Sequence, residues 1–446
     1  MEQIFCAPGV VLPRDLLLRT SCSLRKQGTI FLNEGGPESN LVQGEIPMLG
    51  GKRKRYPAPS YKIPKGQGKT SLSMSSSSSS RKRCLRLSMD KGLSKKVIFF
   101  GCPLDGDERH ESIQEKLSLM ETHGTTDDPY EGVMEIIRRE VDPDLWGEKG
   151  SMNIPSWLRP IPSLADKESM TTEAFVNFMD DGGFETYAQQ VGDFIESHIF
   201  PDIPCMLAVD HSLTGGTFKK LVELYEPEDI SLIVLDSHTD AIPMSVMAGM
   251  IQYDIDTNPN TVHDRDDPFL YDRRDSYNAS SFLYYLLAEE VIRPQNLYLI
   301  GISDYPPKHA FRIKDSRIKD YVNIFSELKA RGVTILTKND FLISPSKIKN
   351  VLSYIKSPYV YISIDLDIGA RNGVEGVRFL ERQGLNERQI YRLVDFLGGP
   401  LSKGIRLAGL DLTEINPRKA GSRHSGENKT YQIAANVIRR LLWGNG

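Results

Sequence analysis

The sequence predicts an α/β protein, a three-layer αβα sandwich around a mainly parallel sheet. Short apolar runs recur through the second half of the chain, at 205–209, 231–235, 297–301, 333–336, 359–364 and 405–410. Between them stand segments of helical apolar spacing at 216–225, 279–290, 319–331, 346–355, 386–397 and 428–442. Strand and helix alternating at that interval form βαβ units, which cover both faces of a parallel sheet with helices. The run Leu232-Ile233-Val234-Leu235 is the clearest, since four branched apolar residues in succession fit a strand buried on both sides.

Composition is consistent with a globular chain. With 446 residues, 39% hydrophobic and 26% charged, there is enough apolar material for a sizeable core. No stretch is apolar for long enough to span a bilayer. Charge is unevenly placed: residues 1–95 hold 17 Lys and Arg against 6 Asp and Glu, a balance of +11, which leaves −15 for the rest of a chain whose net charge is −4. An acidic body suits a cation site and suits plain solubility equally. The five cysteines, Cys6, Cys22, Cys84, Cys102 and Cys205, are scattered without a Cys-x-x-Cys pair and read as reduced thiols.

Taken in order, residues 1–95 carry Lys52-Arg53-Lys54-Arg55, a serine run from Ser75 to Ser80 and Arg81-Lys82-Arg83. Such a segment buries too little apolar surface to offset its ordering entropy, so it is expected to be disordered. Its Arg- and Ser-rich composition fits an organellar targeting sequence; the clusters equally fit nuclear-import or polyanion contacts, or a tail without a role in the fold. Cytoplasmic placement is the expectation otherwise. Folded structure is expected from Val97-Ile98-Phe99-Phe100-Gly101, a buried-strand pattern. Helical spacing follows at 130–141 and 184–199, with an irregular Pro- and Trp-bearing stretch at 143–165 between them.

In sheets of this kind ligands bind beyond the carboxyl ends of the strands. Strand 205–209 leads into Asp210-His211-Ser212, strand 231–235 into Asp236-Ser237-His238-Thr239-Asp240, strand 359–364 into Asp365-Leu366-Asp367, and strand 405–410 into Asp411-Leu412-Thr413-Glu414. If the chain stays extended, Asp236, His238 and Asp240 point to one side at i, i+2 and i+4, as a chelating comb would. That triplet alone fits an exposed polar loop equally well; four strand ends delivering acids and imidazoles to one rim is a much less probable coincidence.

Electrostatics then calls for cations. Two like charges 4 Å apart repel by about 4 kcal/mol at an effective dielectric near 20. Among His211, Asp236, His238, Asp240, Asp365 and Asp367, four negative charges stand against neutral imidazoles, and two divalent ions balance them. Mostly carboxylate donors with two imidazoles suit Mn(2+), two per chain, although zinc, cobalt or nickel also fit such a set. A metal pair can share a water, lower its pKa and turn it on an electrophilic carbon.

At these residues the chain resembles the arginase/agmatinase (ureohydrolase) family. Ala208-Val209-Asp210-His211-Ser212 is similar to the family's Gly-Gly-Asp-His-Ser element, Asp236-Ser237-His238-Thr239-Asp240 to its Asp-Ala-His-x-Asp element, and Ser363-Ile364-Asp365-Leu366-Asp367 to its Ser-x-Asp-x-Asp element. The segment 409–417 looks like the late strand whose glutamate contacts the guanidinium group, and 99–105 resembles the family's first strand and loop. The resemblance implies a catalytic domain over 96–446, enlarged near 105–198 and 241–278. It also implies a binuclear manganese centre that hydrolyses a guanidino group to urea and an amine. It casts Asp240 as the acid that takes the proton of the bridging water and Glu414 as the holder of the cationic group.

The sequence departs from the family pattern in three places. Ala241-Ile242-Pro243 and a long insertion lead to Ser276-Tyr277-Asn278-Ala279-Ser280 where a His-Gly pair is expected, Ile368-Gly369-Ala370 follows Asp367, and region 105–198 is enlarged. His263 is the candidate replacement for the missing histidine, and Asn278 a candidate substrate contact. Free arginine, a peptidyl arginine or another guanidino compound then remain as small-molecule or peptidyl substrates. No nucleic-acid or membrane partner is expected for the folded domain, and relatives commonly form homo-oligomers. The rival readings are a single-metal deacetylase-like amide hydrolase and a metal-binding, non-catalytic relative serving as a binding or regulatory protein. Gly215-Gly216 fits either an anion cradle at a helix start or a turn requirement.

Overall fold

Eight strands form one sheet in which every neighbouring pair is parallel: β1 (Val97–Cys102), β2 (Trp146–Ser151), β3 (Ile203–Ala208), β4 (Ile230–Leu235), β5 (Leu297–Ile302), β6 (Thr334–Thr337), β7 (Tyr359–Asp365) and β8 (Arg406–Thr413), in the order β2-β1-β3-β8-β7-β4-β5-β6. The computed structural model describes residues 95–120, 127–270, 273–380, 383–420 and 428–444. The reading of residues 1–95 as a disordered targeting segment lies, up to residue 94, outside the described residues.

Strand alternation separates two cores. Val97 and Phe99 of β1 face one, with the helices Pro129–Glu140, Glu387–Ser402 and Thr430–Trp443. Ile98 and Phe100 face the other, with Gly183–His198, Leu213–Tyr225 and Phe282–Ala288. A period of two along the strand gives this division, and it makes the predicted three-layer αβα sandwich. Local sequence supports the ends of the helices. Asn386 and Gln389 form a reciprocal capping box at the start of Glu387–Ser402, and Asp128 caps Pro129–Glu140, which begins on proline.

The structure corrects several expectations. The stretch 143–165 is not all irregular, because it contains edge strand β2. Its sequence, Trp-Gly-Glu-Lys-Gly-Ser, is polar and pairs only with β1, so it lacks the apolar signature of an inner strand. Helices His110–Leu119 and Thr172–Asp180 occupy the enlarged region after β1, and Met244–Thr257 occupies the insertion after β4. Gly216 is not at a turn. It lies inside Leu213–Tyr225, where a Cβ would stand 1.9 Å from the carbonyl oxygen of Ala188, so glycine is what lets that helix press against Gly183–His198.

Candidate metal centre

The four inner strands β3, β8, β7 and β4 are consecutive in the sheet, and the chain leaving each of them supplies the polar groups of one site. Donor atoms of His211, Asp236, Asp240 and Asp365 lie within 4.8 Å of one another, as do those of Asp236, His238 and Asp367. All six residues named from the sequence are thus brought together, in two groups that share Asp236. Five of them are buried and His238 is nearly so.

The local geometry differs from an extended comb. β4 stops at Leu235, and the chain then bends so that Asp240 has φ +48°, a left-handed conformation unusual for aspartate. Asp236 is held by its N–H to the Ile300 carbonyl at 3.0 Å. His238 and Asp240 then go to different groups instead of one. Asp365 and Asp367 divide in the same way, because β7 ends at Asp365 and a 3-10 turn, Leu366–Gly369, follows it. Asp365 accepts from the Asp367 N–H at 2.7 Å, which fixes that turn.

Each histidine is oriented. The Nδ1 of His211 lies 2.8 Å from Asp240, and 3.3 Å from both Asp236 and Asp365. Its Nε2 lies 2.9 Å from the Ser363 hydroxyl, which donates to Asp411 at 2.6 Å. Asp411 also accepts from Thr214 at 2.8 Å and from Tyr361. This buried chain keeps the imidazole's other nitrogen turned toward the acids, the arrangement expected around a metal-ligating histidine. His238 Nδ1 lies 2.8 Å from Asp367 and 3.6 Å from Asp236.

The donor set fits a pair of divalent ions. His211 Nδ1, Asp236 Oδ2 and Asp367 Oδ2 are buried at the shared centre without a hydrogen bond. Burial and the neighbouring carboxylates push Asp236 and Asp365 well above the usual carboxylate range. Burial opposes charge on His211, yet the acids around Nδ1 push its pKa up. Asp367 is desolvated too, but His238 and the Ser237 N–H hold it below its ordinary value. Orphaned lone pairs and protons pressed onto acids are what cations would relieve.

Glu414 follows β8 with φ +60°, a second strained position at the rim. It is buried, and burial raises its pKa against the opposing pull of Arg378, with Asp365 and Asp367 among the charges it feels. Its Oε1 accepts from the His211 N–H at 3.3 Å and from Arg378 Nη1 at 3.1 Å, and its Oε2 has no partner. In this structure the guanidinium at Glu414 therefore belongs to the chain itself. Nothing in Val377-Arg378-Phe379 marks Arg378 in the sequence; only the fold brings it to Glu414.

A cavity of about 1,180 Å³ adjoins the centre and is lined by Asp210, Arg378, Phe379, His263 and Asn278 among others. His263 lines it, its Nε2 is buried without a hydrogen bond, and burial lowers its pKa. The charges it feels are those of Asp254, Glu111 and Asp267, and it belongs to neither donor group. Asn278 also lines the cavity, and its amide is held by its own loop and by Met179 Sδ, 3.6 Å from Nδ2. Oδ1 accepts from the Ser280 N–H at 2.9 Å and hydroxyl at 2.8 Å, and Nδ2 donates to the Ser276 carbonyl at 3.1 Å. Asn278 thus forms the turn before helix Phe282–Ala288 while standing on the cavity wall.

Comparison with known proteins bears on the whole of this arrangement. A family model described as "Arginase family" matches residues 163–444. The chain belongs to the arginase family. The arginase of Staphylococcus aureus (strain COL) is 25% identical over 260 residues, covering 57% of this chain and 72% of that protein. Among solved structures, formimidoylglutamase from Bacillus subtilis is similar at 18% identity and a TM-score of 0.48, covering 79% of this chain and 88% of that one. Arginase from Bacillus caldovelox is similar at 19% identity and 0.46, covering 79% and 99%. The family match spans β3 to β8, and so includes every strand end that contributes to the centre.

Proposed function

We propose that this arginase-family chain is a binuclear manganese hydrolase that cleaves a C–N bond of a guanidino group, releasing urea and an amine. Its substrate is arginine, a peptidyl arginine or another guanidino compound. The observation that carries the proposal is the sharing of Asp236 by two donor groups, His211, Asp236, Asp240 and Asp365 on one side and Asp236, His238 and Asp367 on the other. Bound there, two divalent ions supply Lewis acidity and an acidified water. Asp240, 2.8 Å from His211 Nδ1, would take the proton of that water. Ser363 and Asp411 fix the His211 ring, while Glu414, whose Oε2 has no partner, would hold the cationic group. The acids 264, 266 and 267 on the cavity wall favour approach of a cation.

The test is metal content together with urea release by the manganese-loaded full chain, across arginine, agmatine, guanidinobutyrate, guanidinopropionate and arginine-containing peptides. Two ions per chain and urea from at least one compound are expected. One ion per chain would favour the single-metal amide hydrolase. Two ions with no urea from any compound would favour the non-catalytic relative, a reading supported by the pairing of Glu414 with Arg378.

A further inference from the structure

We infer that Arg378 is an internal competitor for the substrate, a specificity-determining side chain whose guanidinium holds the place at Glu414 that an incoming guanidinium must take. The inference rests on the proposed reading of Glu414 as the residue facing the substrate's guanidino group.

The backbone sets the two residues face to face. Val377 and Ile415 form an antiparallel bridge, and the Arg378 N–H donates to the Glu414 carbonyl at 3.1 Å. Arg378 therefore cannot avoid the neighbourhood of Glu414. Its side chain is buried, yet it lines the large cavity together with Asp210. Its Nη1 reaches Asp210 at 2.8 Å, Glu414 at 3.1 Å and the Val209 carbonyl at 3.4 Å. The head also rests beside the Phe379 ring, 5.4 Å from its centroid.

That hold is incomplete in a way that permits exchange. Its hydrogen bonds converge on one nitrogen, Nη1, and Nε has none, its nearest acid being Asp105 at 3.9 Å. Glu414 in turn offers Arg378 only Oε1, leaving Oε2 buried and unpaired. A free guanidinium is not tethered to residue 378 and can meet both oxygens of a carboxylate with parallel N–H donors, the stronger fork-on-fork geometry. Such a ligand would gain a bond that Arg378 does not make. Because binding requires Arg378 to leave first, apparent affinity falls by the fraction of time it is away. The chain should therefore bind small guanidinium ions weakly and favour substrates with enough additional contacts to the cavity to displace Arg378.

The experiment measures binding without turnover. The manganese-loaded full chain, wild type and Arg378→Ala and Arg378→Gln, is titrated with methylguanidinium and with L-arginine by calorimetry. Each variant is also made in a Glu414→Gln background. Both single variants should bind methylguanidinium about tenfold more tightly or better, and Glu414→Gln should remove the gain. Equal affinity of wild type and variants overturns the inference. So does a gain that survives Glu414→Gln, since that would mean only that a structural cavity has been vacated. Removing a buried arginine can unfold the chain, so a second measurement uses wild type alone, a crystal structure with manganese and saturating arginine. Ligand at Glu414 with Arg378 displaced supports competition, and Arg378 still on Glu414 overturns it. Lack of urea in the assay above would remove the hydrolase reading without changing either binding outcome.

Discussion

The chain treats the charge of two buried acid-rich clusters in opposite ways. In one, Asp105 sits between Lys116 at 3.3 Å and Arg418 at 2.8 Å, and Asp107 is clasped by Arg109 at 2.6 Å. Burial would raise these acids, but the cations overcome it and bring Asp105 down to about 2. In the other, Asp236 and Asp365 are equally buried, their ion-pair neighbours are imidazoles, His211 for both and His238 also for Asp236, and both are pushed well above the usual range. Residue type and depth are the same. What differs is whether the chain provides its own cations, and the cluster that lacks them is the one shaped to receive them from outside.

The sharpest break of this comparison is Asp236→Asn, which removes the carboxylate common to both donor groups. Manganese content should fall below one per chain and urea release should be abolished, with far-UV circular dichroism unchanged; retention of two ions would show that the cluster is not the metal site. The self-compensated cluster responds differently. Asp105→Asn leaves Lys116 and Arg418 buried without their shared anion and should cost about 3–5 kcal/mol in urea denaturation, measured on the metal-loaded chain. An unchanged midpoint would show that the pair contributes nothing to folding. Ser363→Ala releases the His211 ring and should weaken manganese binding by about ten- to a hundredfold, read from competition with a chelating dye.

The mildest effect is the pH dependence, and its sign separates the clusters. Asp105 has a folded value near 2, below the ordinary 3.8, so the unfolded chain binds more protons between them. Its stabilisation is complete above about pH 4 and is lost as pH falls through 2. Asp236 and Asp365 are raised, so there the folded chain binds more protons, and metal-free protein loses stability as pH rises above the ordinary carboxylate value. The gap in melting temperature between manganese-loaded and chelator-stripped protein should therefore widen with rising pH. A gap constant from pH 5 to 8 would contradict the assignment of uncompensated charge to the second cluster.

What could be read from the sequence follows from how local each signal is. Inner strands such as Ile230–Leu235 and Tyr359–Asp365 are short apolar runs ending in acids, so both the strand and the fact that its end carries chemistry are visible in one stretch. Edge strand β2 was hidden because its partner on a single side asks little of its side chains. The division of Asp365 from Asp367, and of His238 from Asp240, was hidden because it depends on where the strand stops and the turn begins. Arg378 could not be found at all from spacing. Its partners Asp210 and Glu414 lie 168 and 36 residues away along the chain. In the sequence Asp411 is one more acid at a strand end. Its work, holding Ser363 and through it His211, is a matter of contact across β7 and β8.

Because Asp236 belongs to both donor groups, the two ions would not be independent tenants. Were one ion present, the shared carboxylate would already be oriented for the next; were one withdrawn, its neighbour would lose part of its coordination. Uptake along a manganese titration would then climb steeply once begun, and a chelator would strip the pair nearly together, so that half-loaded molecules stay scarce.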